Sequence, residues 1–101
     1  MQNQEFEGWF NVQTFCVAAF LNNEKVTQDR ALDVCEGINP AFVPAVMATM
    51  CESMQERIVN FMPEVWEGGY NNKSVCWDEI AQHFCEKLRE LKIHKTKEEG
   101  I

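Results

Sequence analysis

The side chains best suited to nucleophilic or metal chemistry in this 101-residue sequence are two histidines and five cysteines. A zinc site takes three or four convergent ligands, commonly in closely spaced pairs, and no two cysteines here form a C-x-x-C pair. Cys76 and His83 would lie two turns apart on one helix, roughly 10 Å, which is too far for a thiolate–imidazole hydrogen bond. We therefore expect no enzyme, no metal site and no cofactor, and we expect His83 to be a half-exposed surface residue.

The cysteines stand at positions 16, 35, 51, 76 and 85, an odd number, and the N-terminal residues show neither the basic nor the apolar region of a signal peptide. Free thiols in a reducing compartment fit both observations. Most of these cysteines fall within or beside apolar stripes, where a free Cys behaves as a small buried hydrophobe. We expect core thiols and a cytoplasmic protein, with a structural disulfide or a reactive thiol as the alternatives.

Acidic residues outnumber basic ones by 16 to 9, which gives a formal net charge of -7. Modules that grip nucleic acid through its phosphates carry a basic face, so this composition argues against direct nucleic-acid binding. No apolar run reaches the roughly 18 residues that a transmembrane helix needs. An acidic surface can instead imitate nucleic-acid phosphates and occupy a basic groove on another protein.

Asp29, Asp33 and Glu36 stand at i, i+4 and i+7 in a predicted helix, so they share one of its sides. Like charges at this spacing repel each other, which makes an all-acidic side more informative than a mixed one. We interpret it as part of a surface that binds a basic partner, and a solvated helix side is the alternative. Four further carboxylates extend the predicted surface along the next helix and loop: Glu52, Glu56, Glu64 and Glu67.

Apolar residues spaced three and four apart predict an all-α, compact single-domain bundle of about four helices. The first, residues 12–21, is apolar nearly all round, which indicates the central and most buried helix, and Asn11 is its predicted N-cap. The other predicted helices run from Asn23 or Thr27 to Gly37, from Pro40 or Val43 to Met62, and from Val75, capped by Ser74, to about Leu91. A longer loop covers 63–74. The domain layout is a flexible N-terminus at 1–8, a helical domain at 9–92 and a charged flexible tail at 93–101.

The third predicted helix carries a methionine stripe, which includes Met47, Met50 and Met54. Methionines at helical spacing usually fill a core, and an adaptable dimer face is the alternative. Trp66 and Tyr70 lie in the predicted loop, where exposed aromatics are candidate anchors for a partner protein. An aromatic side chain that folds back onto the core is the alternative for both residues.

Two blocks of the sequence, GWFNVQT at residues 8–14 and WDEIAQH at residues 77–83, resemble a family of small phage and mobile-element proteins that has no assigned function. Residues 8–14, GWFNVQT, with Val17-Ala18 and Leu21-Asn22-Asn23 after them, are similar to the family's opening G-W-x-N-x-x-T-W-N-V-A-x-W-L-x-N. Residues 77–83, WDEIAQH, are similar to its W-x-E-I-A-E-H ending, and Phe15-Cys16 replaces the family's Trp-Asn. The resemblance covers about a quarter of the chain and implies a phage or prophage setting rather than an activity. A purely structural interpretation is that Asn11 and Thr14 cap the first helix while Trp9 packs back on it.

Two functions follow as hypotheses. The first is a small non-enzymatic inhibitor, encoded by a phage or prophage, that blocks a basic surface of a host nucleic-acid-handling defence complex of the anti-CRISPR or anti-restriction type. The second is a structural or assembly module that forms a homodimer through the Met-rich helix side. The first predicts binding that weakens with salt, and the second predicts a dimer that is insensitive to salt.

Overall fold

Residues 6–99 fold into five α-helices and three short 3₁₀ turns. The computed structural model describes residues 6–99, with side chains up to Ile93. The helices are α1 (Val12–Asn23), α2 (Lys25–Gly37), α3 (Val43–Glu52), α4 (Gln55–Phe61) and α5 (Trp77–Glu99). The 3₁₀ turns cover Pro40–Phe42, Pro63–Val65 and Asn72–Ser74. No strand occurs between residues 6 and 99 beyond one isolated bridge, from Phe6 to Trp9, so the predicted all-α class is confirmed.

The third predicted helix is in fact two helices, so the expected count of four is wrong. The Ser53 hydroxyl donates to the carbonyl of Met50 at 2.5 Å, and the Met54 N–H bonds the carbonyl of Cys51, three residues back, at 2.9 Å. Side-chain bonding of a serine to its own helix competes with the α-helical ladder. The chain therefore turns between α3 and α4, and both Met54 and Ile58 remain buried after the turn.

Prolines set the start of α3 and the end of α4. Pro40 opens a 3₁₀ turn that Asn39 caps through its side chain, and α3 begins only at Val43, with Pro44 in its first turn. Proline is tolerated there because the first N–H groups of a helix have no intrahelical partner. Only Met62 separates Phe61, the last residue of α4, from Pro63, which fits the predicted stop at this proline.

The last helix differs from its prediction at both ends. Ser74 closes a 3₁₀ turn and does not cap the helix, which begins at Trp77. The carbonyl of Cys76 accepts from the N–H of Ile80 at 3.2 Å, one turn later. At the other end, the backbone of α5 continues to Glu99 instead of stopping near Leu91.

The core forms where α1 packs against α2, α4 and α5, while α3 packs against α2 and α5. Half of the residues of α1 are buried, which confirms it as the central helix: Thr14, Cys16, Val17, Ala18, Phe20 and Leu21. The largest fully buried side chains from the other helices are Met47, Ile58, Ile80 and Phe84. Each such side chain stabilises the fold by about 1.5–3 kcal/mol relative to an exposed position.

Candidate protein-binding surface

Four carboxylates surround Tyr70, which separates two open hollows on the surface. Glu52 and Glu56 line one hollow of about 640 Å³, and Glu64 and Glu67 line another of about 700 Å³. Tyr70 lines both hollows, so the acidic residues of α3, α4 and the following loop lie on one continuous region. We call Glu52, Glu56, Glu64, Glu67 and Tyr70 the Tyr70 acidic surface. All four of its carboxylates are exposed.

The loop that carries three of these five residues is fixed by Trp66. Its side chain is only 5 % exposed, and its indole N–H donates to Cys16 Sγ on α1 at 3.4 Å. The backbone then turns at Gly69, whose φ of +95° is accessible to glycine at little cost. The expectation of an exposed Trp66 is therefore wrong: this aromatic anchors the loop to the core and is not available to a partner.

Tyr70 lies over Trp66, with ring centroids 5.0 Å apart, and its hydroxyl donates to Asn72 Oδ1 at 2.6 Å. Burial is the main reason that the pKa of Tyr70 is raised above its ordinary value, with the Cys51 thiol and the Glu52 carboxylate adding to the effect. The phenol is therefore neutral at physiological pH. A half-buried tyrosine held in this way offers a rigid aromatic ring and a polar tip at the centre of the acidic surface.

Arg57, the basic residue of α4, does not neutralise this surface. Its guanidinium pairs with Glu24 at 3.0 Å and lies 5.5 Å from the centre of the Phe20 ring. Among the ion pairs between described residues, none includes Glu52, Glu56, Glu64 or Glu67. Their charge therefore stays available to a cationic partner.

The three acidic residues of α2 have a different environment. Asp29 pairs with Lys25 at 3.1 Å, and Glu36 pairs with Lys92 of α5 at 3.3 Å. Asp33 is exposed between them on the same helix. None of these three residues lines the hollows beside Tyr70, so the predicted acidic surface falls into two groups. In the α2 group, which is Asp29, Asp33 and Glu36, two of the three carboxylates pair with lysines.

The methionines do not form the predicted dimer face. Met47 is fully buried and Met54 is 7 % exposed, whereas Met50 is half-buried. The core interpretation is thus confirmed for Met47 and Met54, and an interface built on all three residues is excluded. Met50 packs partly against the core, and its remaining surface lines an open hollow on the outer side of α3 together with Phe42, Ala45, Val46 and Thr49.

The two sequence blocks at 8–14 and 77–83 meet in space. Asn11 caps α1 by accepting from the Thr14 N–H at 2.8 Å, and it donates to the carbonyl of Ser74 at 2.8 Å. The Thr14 hydroxyl accepts from the Cys76 N–H at 3.0 Å. The side chains that cap α1 therefore also hold the start of α5. The capping prediction is confirmed, but nothing in the sequence spacing indicated this second role.

A further pair of contacts completes this junction. The Phe10 N–H donates to Glu79 Oε1 at 2.8 Å, and the Trp9 ring lies edge-on to His83 with centroids 5.1 Å apart. A shallow cleft of about 260 Å³ runs between the N-terminal turn, which carries Trp9, and α5, which carries Glu79 and His83. Glu79 and His83 are thus engaged in joining the N-terminal turn to α5, which is a structural role.

His83 is half-buried, as predicted, and its pKa is lowered, first by burial and then by Lys87, although Glu86 and Glu90 oppose the shift. All five cysteines are free, and Cys16 and Cys51 are buried. Within residues 6–93, no three His, Cys, Asp or Glu side chains converge as metal ligands would. No helix in the described part of the chain combines the length and apolarity needed to cross a lipid bilayer.

Comparison of the chain with protein-family models, with curated proteins and with solved structures finds no significant match.

Proposed function

We propose that this protein is a small acidic binding protein without enzymatic activity, which blocks a basic surface of a host nucleic-acid-handling defence complex of the anti-CRISPR or anti-restriction type. The observation that carries the proposal is the Tyr70 acidic surface. Its four exposed carboxylates lack ion-pair partners among the described residues, and they lie around the ring of Tyr70, which packs against Trp66. A phage or prophage origin is part of the proposal and rests on the resemblance of the two sequence blocks.

The physical argument starts from charge. A groove that binds nucleic acid presents Lys and Arg to phosphates, and unpaired carboxylates on a rigid surface can take the place of those phosphates. The surface is rigid because Trp66 fixes the loop and α3 and α4 carry the other two carboxylates. Tyr70 adds the kind of aromatic contact that contributes most at protein interfaces.

The α2 group contributes less to this proposal. Asp29 and Glu36 already have lysine partners, which reduces the negative potential that another protein would meet. We therefore place the main contact at the Tyr70 acidic surface and treat the α2 group as the matched comparison. The two groups have similar carboxylates but differ in whether those carboxylates are paired.

The test is an affinity purification from bacterial lysate with the tagged protein, followed by mass spectrometry. We expect a nuclease or other nucleic-acid-handling complex to be retained at about 0.1 M salt and lost at about 1 M, where the Debye length has fallen from about 10 Å to about 3 Å. The captured complex should then fail to shift labelled DNA when the protein is present. Retention of no such complex, or retention that salt does not weaken, contradicts the proposal.

Two triple variants identify the surface. Glu56→Gln, Glu64→Gln and Glu67→Gln together remove three charges beside Tyr70, and Asp29→Asn, Asp33→Asn and Glu36→Gln together remove three from α2. Both keep side-chain size and change the net charge equally. We expect the first set to abolish capture and the second to weaken it slightly. Equal loss with both sets would show that net charge alone matters, not this surface.

A further inference from the structure

Residues 37–51 contain no Asp, Glu, Lys or Arg, in a chain whose net charge is -7. This uncharged segment includes the turn at Pro40–Phe42 and nearly all of α3. Its inner side needs no charge, because Val43, Met47 and Cys51 are buried in the core. Its outer side faces solvent, where charged residues would be the ordinary composition.

The outer side of α3 is apolar as well. Phe42, Val46 and Met50 stand at i, i+4 and i+8, so they form one row along the helix, with Ala45 and Thr49 beside it. Together these five residues line an open hollow of about 540 Å³. Phe42 is 61 % exposed, the most open aromatic side chain among the exposed large hydrophobic residues. A contiguous apolar region exposed on a helix side is a candidate interaction surface.

We propose that the outer side of α3 binds a second copy of this chain, and that the protein forms a reversible homodimer through it. Charge identifies this occupant. Two copies at -7 repel each other wherever acidic residues meet, and the uncharged segment is where they can approach without that cost. A strongly basic partner would be attracted to the carboxylates elsewhere on the molecule and would gain nothing electrostatically from this side.

Charge also sets the orientation. Glu52 is exposed at the C-terminal end of α3, whereas the N-terminal end, from Asn39 to Phe42, is uncharged. A parallel pair of α3 helices would bring Glu52 of one copy against Glu52 of the other. An antiparallel pair instead places each Glu52 near the uncharged turn of the other copy, and it also aligns the helix dipoles favourably.

An antiparallel two-fold axis near Val46 makes the row self-complementary. Val46 lies four residues from both Phe42 and Met50, so Phe42 of one copy meets Met50 of the other, twice. Ala45 and Thr49 are small enough to let the helix axes approach to about 8–10 Å. Phe42 then fills the open hollow beside the other copy's Met50.

The size of the surface limits the affinity. α3 has ten residues and is therefore about 15 Å long. A contact of this length buries less area than the roughly 800 Å² per partner of a standard stable interface. We expect a dimer that dissociates in the micromolar range, or about 8 kcal/mol of binding free energy at 1 μM. This proposal rests on Phe42 and α3 and shares only Glu52 with the Tyr70 acidic surface, so the dimer is expected whether or not that surface binds a partner.

The first measurement is sedimentation velocity over a concentration series, at low and high salt. We expect the weight-average mass to rise from about 12 kDa towards twice that value as concentration increases, with no weakening at high salt. A protein that stays monomeric into the millimolar range overturns the proposal, and so does assembly that continues past the dimer.

Substitutions then locate the interface and its register. Phe42→Glu should abolish dimerisation, as should Met50→Lys, while circular dichroism and the melting temperature show that each variant folds. Val26→Glu is the matched control, because Val26 is 67 % exposed on α2, outside the row. Loss of the dimer in the Val26 variant as well would show non-specific association and would overturn the proposal.

A mixture of the two interface variants tests the antiparallel pairing. In a mixed dimer, the new glutamate at position 42 faces the new lysine at position 50, and the other Phe42–Met50 contact is intact. We expect equimolar Phe42→Glu and Met50→Lys to recover a dimer that neither forms alone. Failure of the mixture to associate, with both variants folded, would exclude this register.

Discussion

Asn22 Nδ2 lies 3.3 Å from His83 Nε2 and also donates to the carbonyl of Ala18 at 3.0 Å. The other end of the same amide, Oδ1, accepts from Gln28 Nε2 at 3.0 Å. An amide nitrogen is a donor only, so Nε2 of His83 is the acceptor in this contact and the ring is neutral, with its proton on Nδ1. α1, α2 and α5 therefore meet at one hydrogen-bonded network that requires an uncharged histidine.

Acidification should weaken this network. Because the pKa of His83 is lowered in the folded protein, the unfolded chain takes up the proton first. The contribution of neutral His83 to the free energy of unfolding is complete above 6.5, the ordinary pKa of histidine. It declines as the pH falls below that value and is lost once the pH has fallen past the lower pKa of the folded protein. We expect the free energy of unfolding in urea to decrease from pH 8 to pH 5.5. The effect should be modest because the ring is only half-buried.

His83→Gln is the control for that measurement, because glutamine cannot titrate. The difference in unfolding free energy between wild type and His83→Gln should depend on pH in this interval. Parallel curves for the two proteins would mean that other groups, such as surface carboxylates, cause the decline.

Asn11→Ala should destabilise the fold by about 1–3 kcal/mol. The substitution removes an N-cap, typically worth about 1 kcal/mol, and a side-chain hydrogen bond to Ser74, worth about 0.5–1.5 kcal/mol. Asn11→Ser keeps a capping oxygen and loses the donor to Ser74, so its loss should be smaller. Urea unfolding measures both variants. Asn39→Ala, which removes an exposed cap from a three-residue turn, should cost less than Asn11→Ala.

Trp66→Ala should cost about 3–5 kcal/mol, the range for removing a buried aromatic from a core. Trp66→Phe keeps most of the volume and loses the N–H bond to Cys16, so a smaller loss is expected. Thermal and urea unfolding measure the change, and Val26→Ala, at an exposed position, should stay within about 0.5 kcal/mol of wild type. Trp66→Ala behaving like Val26→Ala would contradict the anchoring role.

Cys51 should react slowly with alkylating reagents in the native protein. It is fully buried, and burial raises its pKa to about 12, so it has almost no reactive thiolate at pH 8. Pulse labelling with iodoacetamide and peptide mass spectrometry should show half-buried Cys76 labelled well before Cys51. The difference should vanish in urea, and early labelling of Cys51 without urea would show that the core around α3 opens readily.

Local signals in the sequence predicted the all-α class, the central helix and the Asn11 cap, because periodicity and capping depend on neighbouring residues. The break between α3 and α4 was missed because Met50, Met54 and Ile58 keep the spacing of one helix across it. The sequence also does not indicate that the acidic residues fall into two groups, because Lys92, the partner of Glu36, is far away in the chain. Pairing over such distances is decided by packing, which periodicity does not report.

The junction between the N-terminal turn and α5 has a kinetic consequence. Each of its hydrogen bonds joins two residues that are between 62 and 69 positions apart in the sequence, whereas α1 and α2 are adjacent along the chain. Closing a long loop costs conformational entropy before its contacts form, so the neighbouring helices should associate first. We expect Thr14→Val, which removes the acceptor for Cys76, to speed unfolding much more than it slows folding. The segment that holds the two ends of the domain together would then be the last to dock and the first to release.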